Sequence, residues 1–263
     1  AYIWEWNIAE GTWVFDAKIT PSKRSQNANF GSVVALDGNT VVVSSIGYLD
    51  SVNMKGAVSV FTLTNNKWVE SAFLQPSMGS LLDSSYTYTP GLDIGYGSAI
   101  SIKDTTLAIG MPSAPLTVSG TKTSSGAVAL YTGPSWSLGQ VIANPHFGTS
   151  LATTSDNFGS SVNLGTDVMV VGFPNDSYDE TDTNTVSKAG SAYVYQYNDT
   201  WTLLQKIVGW GRDRNNGDLV GVAVGYQDGF AFIGAPGHDY DASGNNYLTG
   251  AGDVYVLQWG DSD

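Results

Sequence analysis

An all-β fold made of tandem four-stranded sheets is predicted by three features of the sequence. Glycine is abundant, with 31 in 263 residues, while charged residues make up only 13%, a composition that suits short strands and turns better than helices with charged faces. Apolar and β-branched residues come in runs of roughly four to eight broken by turn residues. The same order of markers also recurs at a fixed period, which decides the architecture before any strand is named.

Aromatic-glycine pairs open apolar segments at Phe30-Gly31, Tyr96-Gly97 and Phe158-Gly159, with a degenerate copy at Val220-Gly221, so the repeats are 66, 62 and 62 residues apart. A small-residue turn keeps the same beat at Gly110-Met111-Pro112, Gly172-Phe173-Pro174 and Gly234-Ala235-Pro236, with Ser44-Ser45-Ile46 the weakest copy. Gly56-Ala57-Val58, Gly126-Ala127-Val128, Gly190-Ser191-Ala192 and Gly252-Asp253-Val254 each introduce an alternating strand. Trp13, Trp68, Trp136 and Trp201 start the strand that follows, and are read as packing between neighbouring sheets.

Taken in chain order, the N-terminus reads as a third strand, Tyr2 to Trp6, and a fourth, Trp13 to Ile19. Three full repeats follow, and the end supplies first, second and third strands up to Trp259, seventeen strands in all. In the third repeat the four are Gly159 to Leu164, Val168 to Phe173, Ser191 to Tyr197 and Trp201 to Val208. Gly165-Thr166-Asp167 turns the first pair, as Leu36-Asp37-Gly38-Asn39 does in the first repeat, and Asn198-Asp199-Thr200 turns the last. The longer polar loop Asn175 to Ala189 joins the middle strands. Radial repetition of such units is a β-propeller, predicted here as a single domain, residues 1–263, with repeats beginning near 30, 96, 158 and 220.

Phe-Gly-Ser-Ser-Val, Val-Val-Gly-Phe-Pro, Gly-Ser-Ala-Tyr-Val-Tyr and Thr-Trp-Thr-Leu-Leu-Gln-Lys-Ile, in order within residues 158 to 207, resemble the FG-GAP repeat of secreted bacterial and algal proteins and, more remotely, of integrin α-subunit propellers. The resemblance implies an extracellular or cell-surface module for adhesion or assembly, not catalysis. It also makes Phe30, Tyr96, Phe158 and Pro236 structural, as positions that interlock neighbouring blades. Propellers of this family usually have seven blades, which at this period needs roughly 440 residues. Two arrangements suit a shorter chain. Either four blades close, with the hairpin at residues 2–19 completing the last one, or the chain is a segment of a longer array; the first is favoured.

The formal charge is −13, from 11 Lys and Arg against 24 Asp and Glu, and such a chain repels a phosphate backbone, which argues against nucleic acid as a partner. The absence of cysteine excludes disulfides and thiolate chemistry. No apolar run approaches the length of a membrane-spanning helix, and no signal peptide opens the sequence.

Candidate sites fall in the long loops, where a sheet scaffold leaves tips free to vary. Asp176, Asp179 and Asp182 in one loop, and Asp239, Asp241 and Asn245 in another, alternate carboxylates with small polar residues as Ca²⁺ ligands do. Neither loop has the EF-hand spacing, and integrin-type calcium loops lie between the first two strands, where this chain has tight turns; a solvated acidic face is the alternative. Tyr86, Tyr88, Trp210, Tyr240 and Tyr247 are aromatics in connections, available to stack on a sugar or meet a protein. Asn175 and Asn198 fit the N-glycosylation pattern. His146 and His238 are read as surface residues, since no nucleophile-elbow or metalloprotease motif accompanies them. The function expected is non-covalent recognition of another protein within a larger surface assembly. Glycan binding is the alternative, and hydrolysis is less expected.

Overall fold

The computed structural model describes residues 1–50, 55–76, 93–118, 121–124, 126–147, 149, 151, 157–209, 214–241 and 243–258. They contain nineteen strands and no helix. The first complete sheet is β3 (Phe30–Asp37), β4 (Thr40–Leu49), β5 (Lys55–Thr64) and β6 (Lys67–Leu74), hydrogen-bonded in that order and antiparallel throughout. The second is β7 (Ala99–Lys103), β8 (Thr106–Met111), β11 (Ala127–Thr132) and β12 (Ser137–Ala143), and the third is β13 (Val162–Leu164), β14 (Val168–Phe173), β15 (Ser191–Asn198) and β16 (Thr200–Val208). The last sheet has three strands, β17 (Ala223–Gln227), β18 (Phe230–Ala235) and β19 (Asp253–Gln258).

Two hairpins stand outside these sheets. β9 (Pro115–Val118) and β10 (Thr121–Ser124) pair inside the long loop of the second repeat, and account for the two strands beyond the seventeen expected from the sequence. β1 (Tyr2–Asn7) and β2 (Thr12–Lys18) form a two-stranded sheet of their own. Their inner side packs on the first sheet, where Ile3 and Trp68 border a core of Ile19, Val41, Val43 and Phe61. β2 is therefore not hydrogen-bonded to β19.

Each complete sheet is buried on both faces, because each packs between two neighbours. Alternation along the second strand distributes the side chains: Met169, Val171 and Phe173 of β14 join the core shared with the second sheet, while Val168 and Val170 join the core shared with the last. The first strands β3, β7, β13 and β17 lie innermost and line one polar cavity of about 740 Å³.

Glycine lets the sheets come this close. Gly126 and Gly190 have φ of +92° and +81° and make parallel bridges to Phe158 and Val220 of the next repeat. A Cβ would sit 2.2 Å from the Phe158 carbonyl oxygen at Gly126, and 2.3 Å from the Val220 backbone at Gly190. Of the positions expected to interlock neighbouring sheets, Tyr96 and Phe158 are fully buried, whereas Phe30 is half-buried and Pro236 exposed.

Candidate functional site

The long loops of the third and last repeats fold alike, around one carboxylate each. Asp179 accepts hydrogen bonds from the backbone N–H groups of Thr181, Thr183 and Asn184, from the Thr181 hydroxyl, and from Asn184 Nδ2 at 2.6 Å. Asp241 is held the same way by the N–H groups of Ser243, Asn245 and Asn246 and by the Ser243 hydroxyl and Asn246 amide. Burial pushes the Asp179 carboxyl up, but the bonds from Thr183, Asn184 and Thr181 outweigh it and hold the group well below the usual carboxylate range. Asp241 is depressed likewise, chiefly by the Ser243 and Asn246 side chains. Donors thus surround both carboxylates where a cation would need lone pairs.

The other acidic candidates are also engaged within the protein. Asp176 is fully buried and accepts from the Ser191 hydroxyl at 2.6 Å and from Lys206 Nζ at 2.9 Å. Asp182 accepts from the same Lys206 at 2.7 Å and pairs with His146 Nε2 at 3.0 Å. Burial raises the Asp182 carboxyl, and Lys206 and then His146 lower it by more. Asp239 accepts from the Gly250 N–H, and Asn245 donates its amide to the Ser243 carbonyl. Among the described residues, no three His, Asp or Glu side chains converge on a point that could hold a metal ion.

The histidines correct the surface reading, since both are buried. His146 packs against Phe173 and Tyr178 and completes the Asp182–Lys206–Asp176 cluster. His238 lies 3.7 Å from Asp218, whose carboxyl is raised by burial against the opposing pull of Asn215 and His238. Lys206 escaped the sequence because nothing in the alternating run of β16 marks it. Its partners stand 24 and 30 residues away, on a loop that folds back over the strand. Of the ligand candidates, Tyr240 and Tyr247 stack edge to face at 5.3 Å, with Tyr247 exposed beside the Asp241 loop. Tyr86, Tyr88 and Trp210 lie outside the described residues. Asn198 is exposed in the β15–β16 turn and Asn175 is half-buried.

Among the described residues, large apolar side chains stand exposed on the N-terminal hairpin and on the last sheet. In each pair of third and fourth strands the register slips at one place: Ile3/Trp4, Val60/Phe61, Leu130/Tyr131 and Val194/Tyr195. This recurring β-bulge aligns Trp4 with Phe61, Tyr131 and Tyr195 independently of the sequence markers. Phe61, Tyr131 and Tyr195 are each buried against the preceding sheet, whereas Trp4 is 54% exposed. Trp136 and Trp201 are buried too, and their equivalent Trp13 is 62% exposed. Trp4 stacks on Phe15 and Trp6 on Trp13, so β1 and β2 present one aromatic face outward.

The opposite end mirrors this. Val58, Val128 and Ala192 have no exposure, but their equivalent Val254 is 56% exposed; Val60, Leu130 and Val194 are buried, but Val256 is 59% exposed. Phe232, equivalent to the fully buried Val42, Ala108 and Val170, stands out on the same face.

Residues 13–61 and 149–195 match the family model described as FG-GAP repeat. No curated protein matches the chain. Among solved structures the chain is similar to the phage phi92 endosialidase, with 12% identity and a TM-score of 0.42 over 98% of this chain and 40% of that one, so it spans less than half of that protein's length. Each matched stretch starts ahead of an aromatic-glycine pair, Phe30-Gly31 or Phe158-Gly159, and runs into the third strand of its repeat, and these two segments of the chain are FG-GAP repeats.

Proposed function

We propose that this chain is a non-catalytic recognition module of the extracellular space, a single propeller-like domain over residues 1–263 that binds another protein. One observation carries the reading: two stretches of the chain, residues 13–61 and 149–195, match the FG-GAP repeat, a module of protein interaction and adhesion. FG-GAP repeats, an acidic surface and strands fanned around a shared cavity as propeller blades are in keeping with a secreted binding protein. Among the described residues, no helix is long and apolar enough to cross a membrane. The non-catalytic part draws on the buried cluster, where Ser191 donates directly to Asp176 and His146 is engaged by Asp182.

The test passes the extracellular proteins of the source cell over the immobilised folded chain and over the same chain immobilised after denaturation. The reading expects a polypeptide retained by the folded chain alone; retention by neither, or equally by both, would overturn it. A glycan reading is favoured by one separate feature, the exposed Tyr247 ring beside Asp241, Asn245 and Asn246. It expects binding on a glycan array that Tyr247→Ala abolishes.

A further inference from the structure

The third repeat gathers one amine and two carboxylates away from water. Lys206 Nζ lies 2.9 Å from Asp176 Oδ2 and 2.7 Å from Asp182 Oδ1. The Lys206 side chain is 8% exposed and that of Asp176 wholly buried, while Asp182 reaches solvent at 39%. By contrast, Lys55–Asp93 and Lys103–Asp37 are more than a quarter exposed on both partners, and water keeps such pairs as ordinary ion pairs. Donors also hold the Asp176 carboxyl in place: Oδ1 accepts from the Tyr178 N–H at 2.9 Å, and Oδ2 from the Ser191 hydroxyl at 2.6 Å. His146 Nε2, 3.0 Å from Asp182 Oδ1, fixes the second carboxylate beside the amine.

We propose that Lys206 and Asp176 join in an intramolecular amide bond, which the folded chain forms by itself with Asp182 as proton carrier. The ion pair is the starting state. One ammonium proton passes along the 2.9 Å contact to Asp176 Oδ2, leaving a neutral amine beside a neutral carboxylic acid. The amine lone pair attacks Asp176 Cγ, and the Tyr178 N–H meets the negative charge that develops on Oδ1. Asp182 takes a second proton from Nζ and hands it to Oδ2, which departs as water. One C–N bond forms and one C–O bond breaks, Asp182 ends as the carboxylate it began as, and nothing is oxidised or reduced. Groups fixed in contact react as if at about 10⁵–10⁸ M, and the exclusion of water deprives the reverse hydrolysis of its reactant. In a chain without cysteine, the amide fastens the loop after β14 to β16 in place of a disulfide.

Intact-mass spectrometry of the whole folded chain tests this. A species lighter by one water molecule is expected to accumulate after folding. Tryptic mapping is expected to find one branched peptide joining Asp176 to Lys206, with no cleavage after Lys206. The chain held in urea is expected to keep its full mass, because the reacting atoms are then apart. A folded chain that keeps its full mass throughout overturns the proposal. So does a lost water that maps to an unbranched peptide, as a succinimide at Asp37-Gly38 or Asp228-Gly229 would give.

Two variants separate the roles. Lys206→Arg keeps the positive charge but has no nucleophilic amine, and is expected to keep its full mass. Asp182→Asn keeps the amine and its target but cannot carry a proton, and is expected to lose water about 100-fold more slowly or less. Loss of water from the Lys206→Arg variant, or at the original rate from Asp182→Asn, would contradict the assignment. Where a variant fails to fold, the mass and peptide map of the native chain decide.

Discussion

Lys206 and Asp176 form an ion pair at 2.9 Å from which solvent is almost wholly excluded, with the ammonium also lying 5.6 Å over the ring of Tyr193. The pair joins β16 to the loop after β14, and with Asp182 and His146 it pins that loop against the third sheet.

Replacing Lys206 by Met leaves the Asp176 carboxylate buried without its cation. Losing one partner of a buried pair costs about 3–5 kcal/mol. At about 2–4 °C per kcal/mol for a chain of this size, Tm is expected to fall by ~6–20 °C in calorimetry. Adding Asp176→Asn to the Met variant should recover part of the loss, because the uncompensated charge is then gone.

Acid should weaken the fold progressively. Asp179, Asp182 and Asp241 have folded-state pKa values below the unfolded value, so their contribution is fully present above the unfolded pKa and is lost as pH falls through the folded ones. Asp218, raised by burial, runs the other way and gains as pH drops. With three groups against one, urea unfolding should show stability declining from about pH 5 downward. An Asp182→Asn variant should show a shallower decline.

Gly126→Ala tests the close approach of the second and third repeats. The left-handed backbone costs an alanine about 1–2 kcal/mol, and crowding the Phe158 carbonyl adds about 1–3 kcal/mol. Together they should lower Tm by roughly 4–20 °C. Alanine at Gly217, where φ is +85° but nothing lies within 4 Å of an added Cβ, should cost only the backbone part.

Millimolar Ca²⁺ should leave the melting midpoint where EDTA leaves it. The Asp179 and Asp241 oxygens already accept three backbone N–H groups each, and a cation would have to displace those donors to gain its ligands. A rise in Tm specific to Ca²⁺ over matched ionic strength would contradict this account of the loops.

The repeat was legible because its markers are local. Gly126 and Gly190 must be glycine for reasons their own backbone imposes, and the alternation around Val168 to Phe173 gives that strand its observed bounds. What escaped was long-range or carried no period. The β9–β10 hairpin has a polar sequence that reads as loop, and its backbone pairs all the same. Lys206 and His146 are single residues whose meaning comes from a contact with Asp182 across 24 and 36 residues. The acidic loops were seen as clusters of carboxylates, but the sequence could not show that Asn184 and Asn246 turn their amides inward to meet them. The bulge before Trp4, Phe61, Tyr131 and Tyr195 is a property of pairing, and no residue type announces it.

Hydroxyl-radical footprinting by mass spectrometry tests the central claim most directly, comparing the chain in dilute buffer with the chain among the extracellular proteins of its source. The account predicts that oxidation of a set of exposed aromatic rings, drawn from Trp4, Trp13, Tyr197, Phe232 and Tyr247, falls several-fold in company. Unchanged oxidation at every one of them would contradict it.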